Sequence, residues 1–599
     1  MNGANIKQFY LNSIDEEKAK LIPLKKQIFI IATLRLLTLT LGIVICYLTW
    51  NNTLLTIAIA LFFFFIFILL LNYYGKLILK KKYSLTLIEI SEDELKGLNY
   101  DFSAFDGAPE KIQAEHSYSF DLDLFGDRSF FQSINRTVTS SGKDYLARCI
   151  LFPQKDREVI LGYQKAIQEL AKKLKYITHF RIMGKITQKE IHNSSKLTEI
   201  YSHKNLLYKN KFWAILTYIV PLSYIVLLIL FLSGLISAIY FIPLWLVTFT
   251  ISSFSIKPIN SILDIFDKKT DILTTYSQLL QIIEDEKFHS TLLTANQDLT
   301  HSQIKASLAI KKLERYCSNL NMGLSYPVIL FFNPVLFWNV NYAIKVEKWL
   351  EKYQNEIPKW MESIAHMDAL CSLSMFAYNH PEYIYPTIIT EHFSFTGKNL
   401  GHPLIPENTC VKNNVSIDKD SYFLVITGAN MAGKSTYLRT IGINHVLACM
   451  GAPVCASSLE FYPGNLVTNL RTTDSLADNE SYFFSELKRL KMIIDRLQSG
   501  ERLFIILDEI LKGTNSEDKQ KGSLALMKQL ISLQGNGIIA THDLVLGSLE
   551  NEYPENVKNY CFEADITENR LTFTYKIREG IAQNMNATFL MKQMGITGL

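Results

Sequence analysis

A glycine-rich run constrains the fold of this chain more than any other feature. The run begins at Gly428 and fits the pattern G-x-x-x-x-G-K-[ST]. The apolar segment Tyr422–Ile426 before it predicts a buried strand, and Ser435–Ile441 after it predicts a helix. A strand, a tight loop and a helix N-terminus direct backbone N–H groups toward a phosphate, which a chance glycine-rich turn would not do. We therefore predict nucleotide binding by Gly428, Ala429, Asn430, Met431, Ala432, Gly433, Lys434, Ser435 and Thr436.

Polar side chains follow two further predicted strands. Arg502–Leu507 is apolar and is followed by Asp508 and Glu509, and Gly537–Thr541 is followed by His542. Ligands of parallel α/β sheets gather at the carboxyl ends of the strands, so these groups are expected to meet at one site. The alternatives are a solvated acidic turn and a structural histidine.

Each polar group has a predicted role in this site. Lys434 is expected to neutralise phosphate oxygens, and Ser435 and Asp508 to hold Mg²⁺. Glu509 is expected to polarise the attacking water, while His542 senses the γ-phosphate. The pattern thus predicts ATP and Mg²⁺ as cofactors.

From about Asn399 onward, the motifs and their order resemble the ATPase domain of the MutS family of DNA mismatch repair proteins. The matching segments are Gly401–Ile405, Gly428–Thr440, Asp474–Leu487, Leu507–Ser516 and Tyr575–Gly580. The resemblance implies an ATP-hydrolysing homodimer with composite sites. In such a site, Ser481 of one subunit completes the pocket of the other in trans. The sequence departs from the family at Thr409–Lys412, where Cys410 and Val411 stand in place of the usual aromatic residue that stacks on adenine.

A weaker resemblance extends upstream. Leu124–Leu146 is similar to the start of the family's helical core domain, and Ser363–Pro386 to the helix that leads into the ATPase. Helical apolar spacing in Ile160–Leu174 and Ile262–Ile283 predicts lever helices, with an unrelated helical bundle as the alternative.

Four segments are apolar and long enough to cross a hydrocarbon layer of about 30 Å. They form two predicted hairpins with uncharged connecting loops, and lysines flank both hairpins. The positive-inside rule places the loops outside and the rest in the cytoplasm, which predicts a multi-pass protein of the inner (cytoplasmic) membrane. Buried soluble helices are the alternative, and a cleaved signal peptide fits poorly because a second span follows at once. The segments are Ile28–Trp50, Leu54–Tyr73, Trp213–Ser233 and Leu235–Phe254.

The predicted fold is therefore multidomain. It combines a C-terminal α/β P-loop ATPase of ABC/MutS type, an all-α lever and core domain, and four transmembrane helices in two hairpins. The predicted divisions are a cytoplasmic lead (1–27), hairpin 1 (28–73), a linker (74–110), the first part of the core (111–212), hairpin 2 (213–254), the second part of the core (255–390) and the ATPase domain (391–599).

The sequence leaves open whether the protein binds DNA. The formal charge of +4 over 599 residues supports no strong nucleic-acid binding, and the family's N-terminal mismatch-reading Phe-x-Glu motif is missing. The sole Phe-x-Glu, Phe484–Glu486, lies in the ATPase signature helix. Backbone phosphates could bind Lys165, Lys172, Lys173 and Lys175, or these lysines could form a solvated helix face.

Three functions fit these observations to different degrees. The first is a membrane-anchored ATPase that binds DNA, and the second is an ATP-driven membrane switch or assembly protein without DNA. An ABC-type transporter is disfavoured by the small number of spans and the missing Leu-Ser-Gly-Gly signature. The eight cysteines contain no C-x-x-C pair, so neither zinc nor a disulfide framework is predicted.

Overall fold

Two long helices begin the chain. The computed structural model describes residues 3–186, 207–266, 270–301, 304–429, 432–471, 482–511, 515–567 and 570–583. Helix α1 (Gly3–Leu48) and helix α2 (Thr53–Leu98) pair along their length as an antiparallel hairpin. At 46 residues each, they are about 70 Å long, more than twice the thickness of a bilayer core.

The described part of the predicted lead (residues 3–27) and most of the predicted linker (74–110) are helical continuations of hairpin 1. A small apolar cluster of Ile14, Leu21 and Ile88 holds the two extensions together. The only proline in α1, Pro23, does not end the helix, and α2 ends beside Gly97. Amphipathic pairing therefore continues the helices beyond the apolar segments.

The second apolar region differs from a simple hairpin. Helix α7 (Lys211–Leu232) is followed by a 3₁₀ turn (Ala238–Tyr240) and by α8 (Phe241–Ser253), whereas we expected one span from Leu235 to Phe254. Pro243 lies in the first turn of α8, where a residue without an N–H is tolerated, so the regular helix begins there. Helix α9 (Ile256–Phe266) continues after a bend of 50°.

In the part of the chain that the structure describes, three helices are thus long and apolar enough to cross a membrane, and a fourth span exists only if the bent pair is counted as one. The three are α1, α2 and α7, and the bent pair is formed by 238–253 and 256–263. Length and composition support three spans directly, one fewer than the sequence predicted.

The remaining helices before the ATPase form a bundle around α15 (Ile357–Asn379), which is buried along most of its length. Asp368 of α15 accepts hydrogen bonds from the Thr139 backbone N–H and hydroxyl, at 2.8 and 2.6 Å. The predicted lever Ile160–Leu174 is divided between two helices, and Ile262–Ile283 between two others. The helices are α3 (Phe130–Ile134), α4 (Ser140–Leu151), α5 (Arg157–Ala171), α6 (Leu174–Ile186), α10 (Thr270–Asp285), α11 (Thr291–Asp298), α12 (Ala306–Met322), α13 (Asn333–Leu336) and α14 (Trp338–Tyr353).

Glu94 connects hairpin 1 to this bundle. Its carboxylate is fully buried and lies 2.8 Å from Arg136 Nε and 2.7 Å from Arg181 Nη1. Burial alone would raise the pKa of Glu94, but the two arginines outweigh burial and lower it. Asn379 at the end of α15 donates to Glu94 Oε2 at 2.9 Å and accepts from the Tyr10 hydroxyl at 2.9 Å. The extensions of hairpin 1 are therefore joined to the helix that leads into the ATPase.

The C-terminal region contains two sheets. The smaller sheet has the order β1-β5-β2-β3, and the larger one has the order β10-β9-β4-β8-β7-β6, parallel except for the β9–β10 hairpin. The strands are β1 (Thr387–Ile388), β2 (Phe395–Leu400), β3 (Asn413–Ile417), β4 (Phe423–Gly428), β5 (Ser458–Phe461), β6 (Asn465–Asn469), β7 (Leu503–Asp508), β8 (Asn536–Thr541), β9 (Val557–Thr567) and β10 (Arg570–Glu579). The helices are α16 (Lys434–Cys449), α17 (Tyr482–Gln498), α18 (Ser516–Ser532) and α19 (Leu549–Glu552).

Candidate functional site

The glycine-rich loop lies between β4 and α16, as the sequence predicted. Gly428 has φ +145°, and a Cβ there would lie 2.4 Å from the carbonyl oxygen of Phe562. Gly433 has φ +102° and forms the N-cap of α16. Both positions therefore require glycine for conformation or space. Asn430 and Met431 lie outside the described residues.

Lys434 and Ser435 begin α16 and face different partners. The Lys434 side chain is buried, and its Nζ donates to the carbonyl oxygens of Gly428 at 2.5 Å and Ala429 at 3.1 Å. The Ser435 hydroxyl donates to Asp508 Oδ2 at 2.6 Å. The structure thus brings together a cation and a hydroxyl from the first turn of α16 and a carboxylate from the end of β7.

Glu509 and His542 are adjacent at this edge of the sheet. Glu509 has φ +51°, and its N–H donates to the Ala540 carbonyl oxygen of β8 at 2.9 Å. Its Oε1 lies 3.3 Å from His542 Nδ1. Because β8 lies between β4 and β7, the carboxyl ends of three neighbouring strands supply the site.

Lys519 of α18 was not predicted as part of this site. Its Nζ lies 3.3 Å from His542 Nε2, so the imidazole is held between a lysine and a glutamate. A lysine one turn into a helix gives no sequence signal for such a contact.

The signature segment is described only from residue 482 onward, so Ser481 lies outside the described residues. In α17, Glu486 is buried and its Oε1 accepts from the Leu511 N–H at 2.7 Å. Glu486 therefore supports the backbone that follows Asp508 and Glu509. This contact assigns the glutamate of Phe484–Glu486 a position inside the ATPase domain.

A cavity of about 400 Å³ lies beside the start of α16. Cys410 and Val411 line it, as the sequence suggested, without offering a ring. Tyr575 of β10 supplies an aromatic wall, and its Cδ1 lies 3.0 Å from the Cβ position of Gly433. Tyr437 and Phe562 also line the cavity, so it has aromatic walls although 409–412 offers no ring.

His402 also lines this cavity. Burial, and secondarily the positive charge of Arg439, lower the pKa of His402 to about 4. The imidazole is therefore neutral at physiological pH. Its Nδ1 accepts from the Leu404 N–H at 3.2 Å, so the neutral ring keeps its Nε2–H as a donor and adds no charge to the cavity.

The helix that carries Lys434 and Ser435 is also joined to the helical bundle. Arg439, in its second turn, donates from Nη1 to Asp123 Oδ2 at 2.8 Å. Arg471 pairs with the same carboxylate, and Asp121 accepts from the Thr468 hydroxyl at 2.6 Å. The loop before α3 therefore contacts the C-terminal region at α16 and at the end of β6.

The four lysines considered for DNA contacts do not form one free patch. Lys173 lies 3.3 Å from Glu169 and 2.9 Å from Glu286. Lys165, Lys172 and Lys175 are exposed. These positions are therefore explained equally well by a helix face exposed to solvent and by contacts with DNA phosphates.

Comparison with known proteins shows a similarity in the C-terminal region. Residues 424–594 match the model of MutS domain V. The chain is 29% identical over 251 residues to a "DNA mismatch repair protein MutS" of Thermotoga sp. (strain RQ2), covering 41% of this chain and 31% of that protein. It is 30% identical over 238 residues to "MutS protein homolog 4" of Homo sapiens, covering 38% of this chain and 25% of that protein.

The chain thus spans between a quarter and a third of the length of these relatives. The matched domain V contains the described glycine-rich loop, the Ser435–Asp508 contact and the Glu509–His542 pair. Residues 424–594 are thus similar to MutS domain V, and the chain resembles the MutS family through this C-terminal domain.

Proposed function

We propose that this protein is a membrane-anchored MutS-type ATPase. The observation that carries the proposal is the convergence of Ser435, Asp508, Glu509 and His542 at the carboxyl ends of three neighbouring strands. Lys434 on the adjoining loop supplies the positive charge that phosphates require.

The donor set fits Mg²⁺ with ATP. Ser435 Oγ and Asp508 Oδ2 are hard oxygen donors only 2.6 Å apart. Within the described ranges, no group of three or more His, Cys, Asp or Glu side chains could hold a metal by itself. Mg²⁺ is typically bound by one or two protein oxygens together with substrate phosphates and water. When bound, it neutralises charge that develops on the phosphate oxygens.

The protein groups have separate tasks in hydrolysis. Lys434 holds the β- and γ-phosphates, and Glu509 aligns a water molecule and accepts its proton. His542 holds the carboxylate of Glu509 from the neighbouring strand and senses the γ-phosphate. Tyr575 and His402 line the cavity where the base is expected to bind.

We propose that ATP also joins two copies of the chain. The resemblance of residues 474–487 to the family signature supports this step, because Ser481 would then reach the nucleotide held by the other copy. Closure of the dimer would complete each site and make hydrolysis depend on association.

The apolar helices support a location in the inner membrane with the ATPase in the cytoplasm. Lysines flank both apolar regions on the side of the soluble domains, including Lys25, Lys76, Lys211 and Lys257. The Arg35 guanidinium lies 4.8 Å from the centre of the Tyr74 ring, near the end of the first apolar pair. The aromatic contact and the nearby interface make this charge tolerable.

The proposed ATPase could serve either of two purposes, DNA binding or membrane switching. The relatives are named as DNA mismatch repair proteins, which supports DNA binding without the usual mismatch wedge. The Glu94 network favours a membrane switch instead, because it joins hairpin 1 to the helix that enters the ATPase.

ATP hydrolysis by the full-length, detergent-solubilised protein distinguishes these purposes. The rate is measured without DNA, with matched duplex, and with mismatched or branched duplex. Glu509→Gln serves as the blank, and the exposed Glu517→Gln is the matched control. Stimulation by DNA supports the first purpose, and indifference to all DNA supports the switch. A rate equal to that of Glu509→Gln under every condition overturns the proposed ATPase.

A further inference from the structure

A charge-free stretch lies between α12 and α14. No Asp, Glu, Lys or Arg occurs between Arg315 and Lys345, and the middle of this stretch reads Leu-Ser-Tyr-Pro-Val-Ile-Leu-Phe-Phe-Asn-Pro-Val-Leu-Phe from Leu324 to Phe337. It is too irregular for a span, because it contains a π-helical turn (Val328–Phe332) and the short α13. We call residues 324–337 the apolar tip.

The apolar tip exposes large hydrophobic side chains. Phe331 is 68% exposed and Tyr326 is 83% exposed, and Leu330 and Phe332 are also exposed. A contiguous surface of this kind is unfavourable in water and typically marks an interaction with another protein or with a membrane.

The ends of the apolar tip are tied together. Trp338 Nε1 donates to the Asn319 carbonyl oxygen at 2.9 Å, and Asn339 Nδ2 donates to the Gly323 carbonyl oxygen at 3.2 Å. Helix α12 also packs against α14. The chain therefore enters and leaves the tip at the same level, as a re-entrant loop does.

The tip packs against the second apolar region of the chain. Helix α13 contacts both α7 and α8, and Trp245 Nε1 donates to the Leu330 carbonyl oxygen at 2.9 Å. Irregular backbone at membrane depth is tolerated where protein covers it, and this hydrogen bond satisfies one such carbonyl. Between the tip and the two helices lies an apolar cavity of about 610 Å³, lined by Pro221, Tyr224, Leu228, Phe241, Trp245 and Phe331.

The cavity lies deep along α7. At 1.5 Å per residue, Pro221 and Leu228 lie about 15 and 25 Å from Lys211 at the start of the helix. Helix α8 has 13 residues and is about 20 Å long, shorter than a bilayer core of about 30 Å. The apolar tip therefore lies beside the short helix, at a depth that α7 would place within the hydrocarbon.

We propose that the apolar tip is a re-entrant loop inserted in the same bilayer as α7 and α8, and that lipid acyl chains cover it and fill the cavity. The inference rests on the membrane anchoring in the proposed function. Continuity of the exposed apolar side chains with those of α7 and the absence of charge identify hydrocarbon as the occupant. Since α14 leads to α15, the loop attaches the helical bundle to the membrane at a second place besides hairpin 1.

Photo-crosslinking to lipid tests this proposal on the full chain. Benzoylphenylalanine is incorporated in place of Phe331, and separately of Phe332, and the protein is reconstituted in vesicles of dioleoyl phosphatidylcholine and phosphatidylglycerol. Leu222 of α7, 59% exposed, is the membrane reference, and Phe152 in the soluble bundle, 67% exposed, is the matched aromatic control. After irradiation, mass spectrometry identifies peptides that carry the mass of one phospholipid.

We expect lipid adducts at 331, 332 and 222 and none at 152. Adducts at 222 combined with none at 331 and 332, or with crosslinks from these positions to a second protein chain, overturn the re-entrant loop and leave the membrane anchoring intact. A lack of adducts at 222 overturns the membrane anchoring itself, and the inference falls with it.

Discussion

Arg439 Nη1 donates a 2.8 Å hydrogen bond to Asp123 Oδ2, and this contact joins the helix after the glycine-rich loop to the helical bundle. Arg439 also lies close enough to Asp508 for the two charges to interact. The Arg439 guanidinium is therefore hydrogen-bonded to a carboxylate of the bundle and interacts through charge with Asp508, which is proposed to hold Mg²⁺. Movement of the loop that carries Asp123 would change the charge felt at the nucleotide site.

Removing the carboxylate of Asp123 should alter the Mg²⁺ requirement. In Asp123→Ala, Arg439 loses its hydrogen-bonded carboxylate and keeps only the weaker charge interactions with Asp121 and Asp508, so we expect half-maximal ATP hydrolysis to need several-fold more Mg²⁺. Stability should fall by only about 1 kcal/mol, because the pair is partly exposed. The measurement is a Mg²⁺ titration of the hydrolysis rate, with the exposed Asp127→Ala on the same loop as the control. Identical titrations for both variants would contradict the coupling.

Lys434→Ala should abolish ATP-dependent dimerisation. The substitution removes the buried ammonium beside the loop that is expected to hold the phosphates. The measurement is the mass of the detergent-solubilised protein with and without ATP, by light scattering. Lys419→Ala is the control, because Lys419 pairs with Glu555 on the surface and should leave dimerisation unchanged. Dimerisation of Lys434→Ala at the wild-type ATP concentration would count against the site.

Tyr575 should contribute to nucleotide affinity through its ring. Its side chain lines the cavity beside Gly433, and a stacked aromatic pair contributes about 0.5–1.5 kcal/mol. We therefore expect Tyr575→Ala to weaken ATP binding by about 3- to 10-fold and Tyr575→Phe to leave it nearly unchanged. Equilibrium titration with a fluorescent ATP analogue measures both variants. Equal weakening in the two would instead assign the effect to the hydroxyl.

Glu94→Gln should be among the most destabilising single changes in the bundle. The substitution leaves Arg136 and Arg181 buried without a carboxylate, which costs about 3–5 kcal/mol. Glu92→Gln, two residues away in α2, removes only an exposed partner of Lys18 at 3.8 Å and should cost less than about 1 kcal/mol. Thermal unfolding in detergent compares the two. Similar midpoints would mean that the buried pair contributes little.

Mild acid should destabilise the ATPase domain through buried histidines. Burial lowers the pKa of His445 to about 4, while the hydrogen bond with the Gly464 carbonyl oxygen opposes the shift. The unfolded chain therefore takes up a proton at this residue below about pH 6.5 and the folded chain does not until about pH 4. The contribution of His445 to the free energy of unfolding is therefore fully present above pH 6.5 and is lost as the pH falls from 6.5 to 4.

The variant His445→Gln isolates this contribution. The free energy of unfolding of the wild type falls between pH 7 and pH 5. In His445→Gln this fall should be smaller by about 2 kcal/mol. His366 and His402 act in the same direction, and burial raises the pKa of Asp368 to about 6, which acts in the opposite direction. Only the difference in pH dependence between variant and wild type is therefore informative, as measured by thermal unfolding at both pH values. Parallel pH profiles would contradict the prediction.

Local patterns were sufficient to predict the glycine-rich loop between a strand and a helix. Gly428, Gly433 and Lys434 occur within one short run, and the loop conformation depends on neighbours in the sequence. The strand ends at Asp508 and His542 were predicted for a related reason. Parallel strands with similar apolar cores place their carboxyl ends at one edge, so their order along the chain predicts the site without the exact sheet order.

The hairpins show where local patterns become insufficient. The apolar runs of α1, α2 and α7 predict spans because membrane crossing depends on length and hydrophobicity. The helical extensions of hairpin 1, the shortened α8 and the apolar tip were not predicted. Each depends on which other helix lies beside it, and that partner is distant in the sequence.

By itself, the sequence determined the glycine-rich loop between a strand and a helix, the polar strand ends and three apolar helices, since each follows from residues close together in the chain. Only the tertiary structure decided that Tyr575 provides the wall of the cavity, that Asp123 holds Arg439, and that Glu94 meets two arginines. These contacts join residues that are far apart in the sequence. They form because packing of the sheets and the bundle buries apolar surface, and the polar groups buried with it must then find partners.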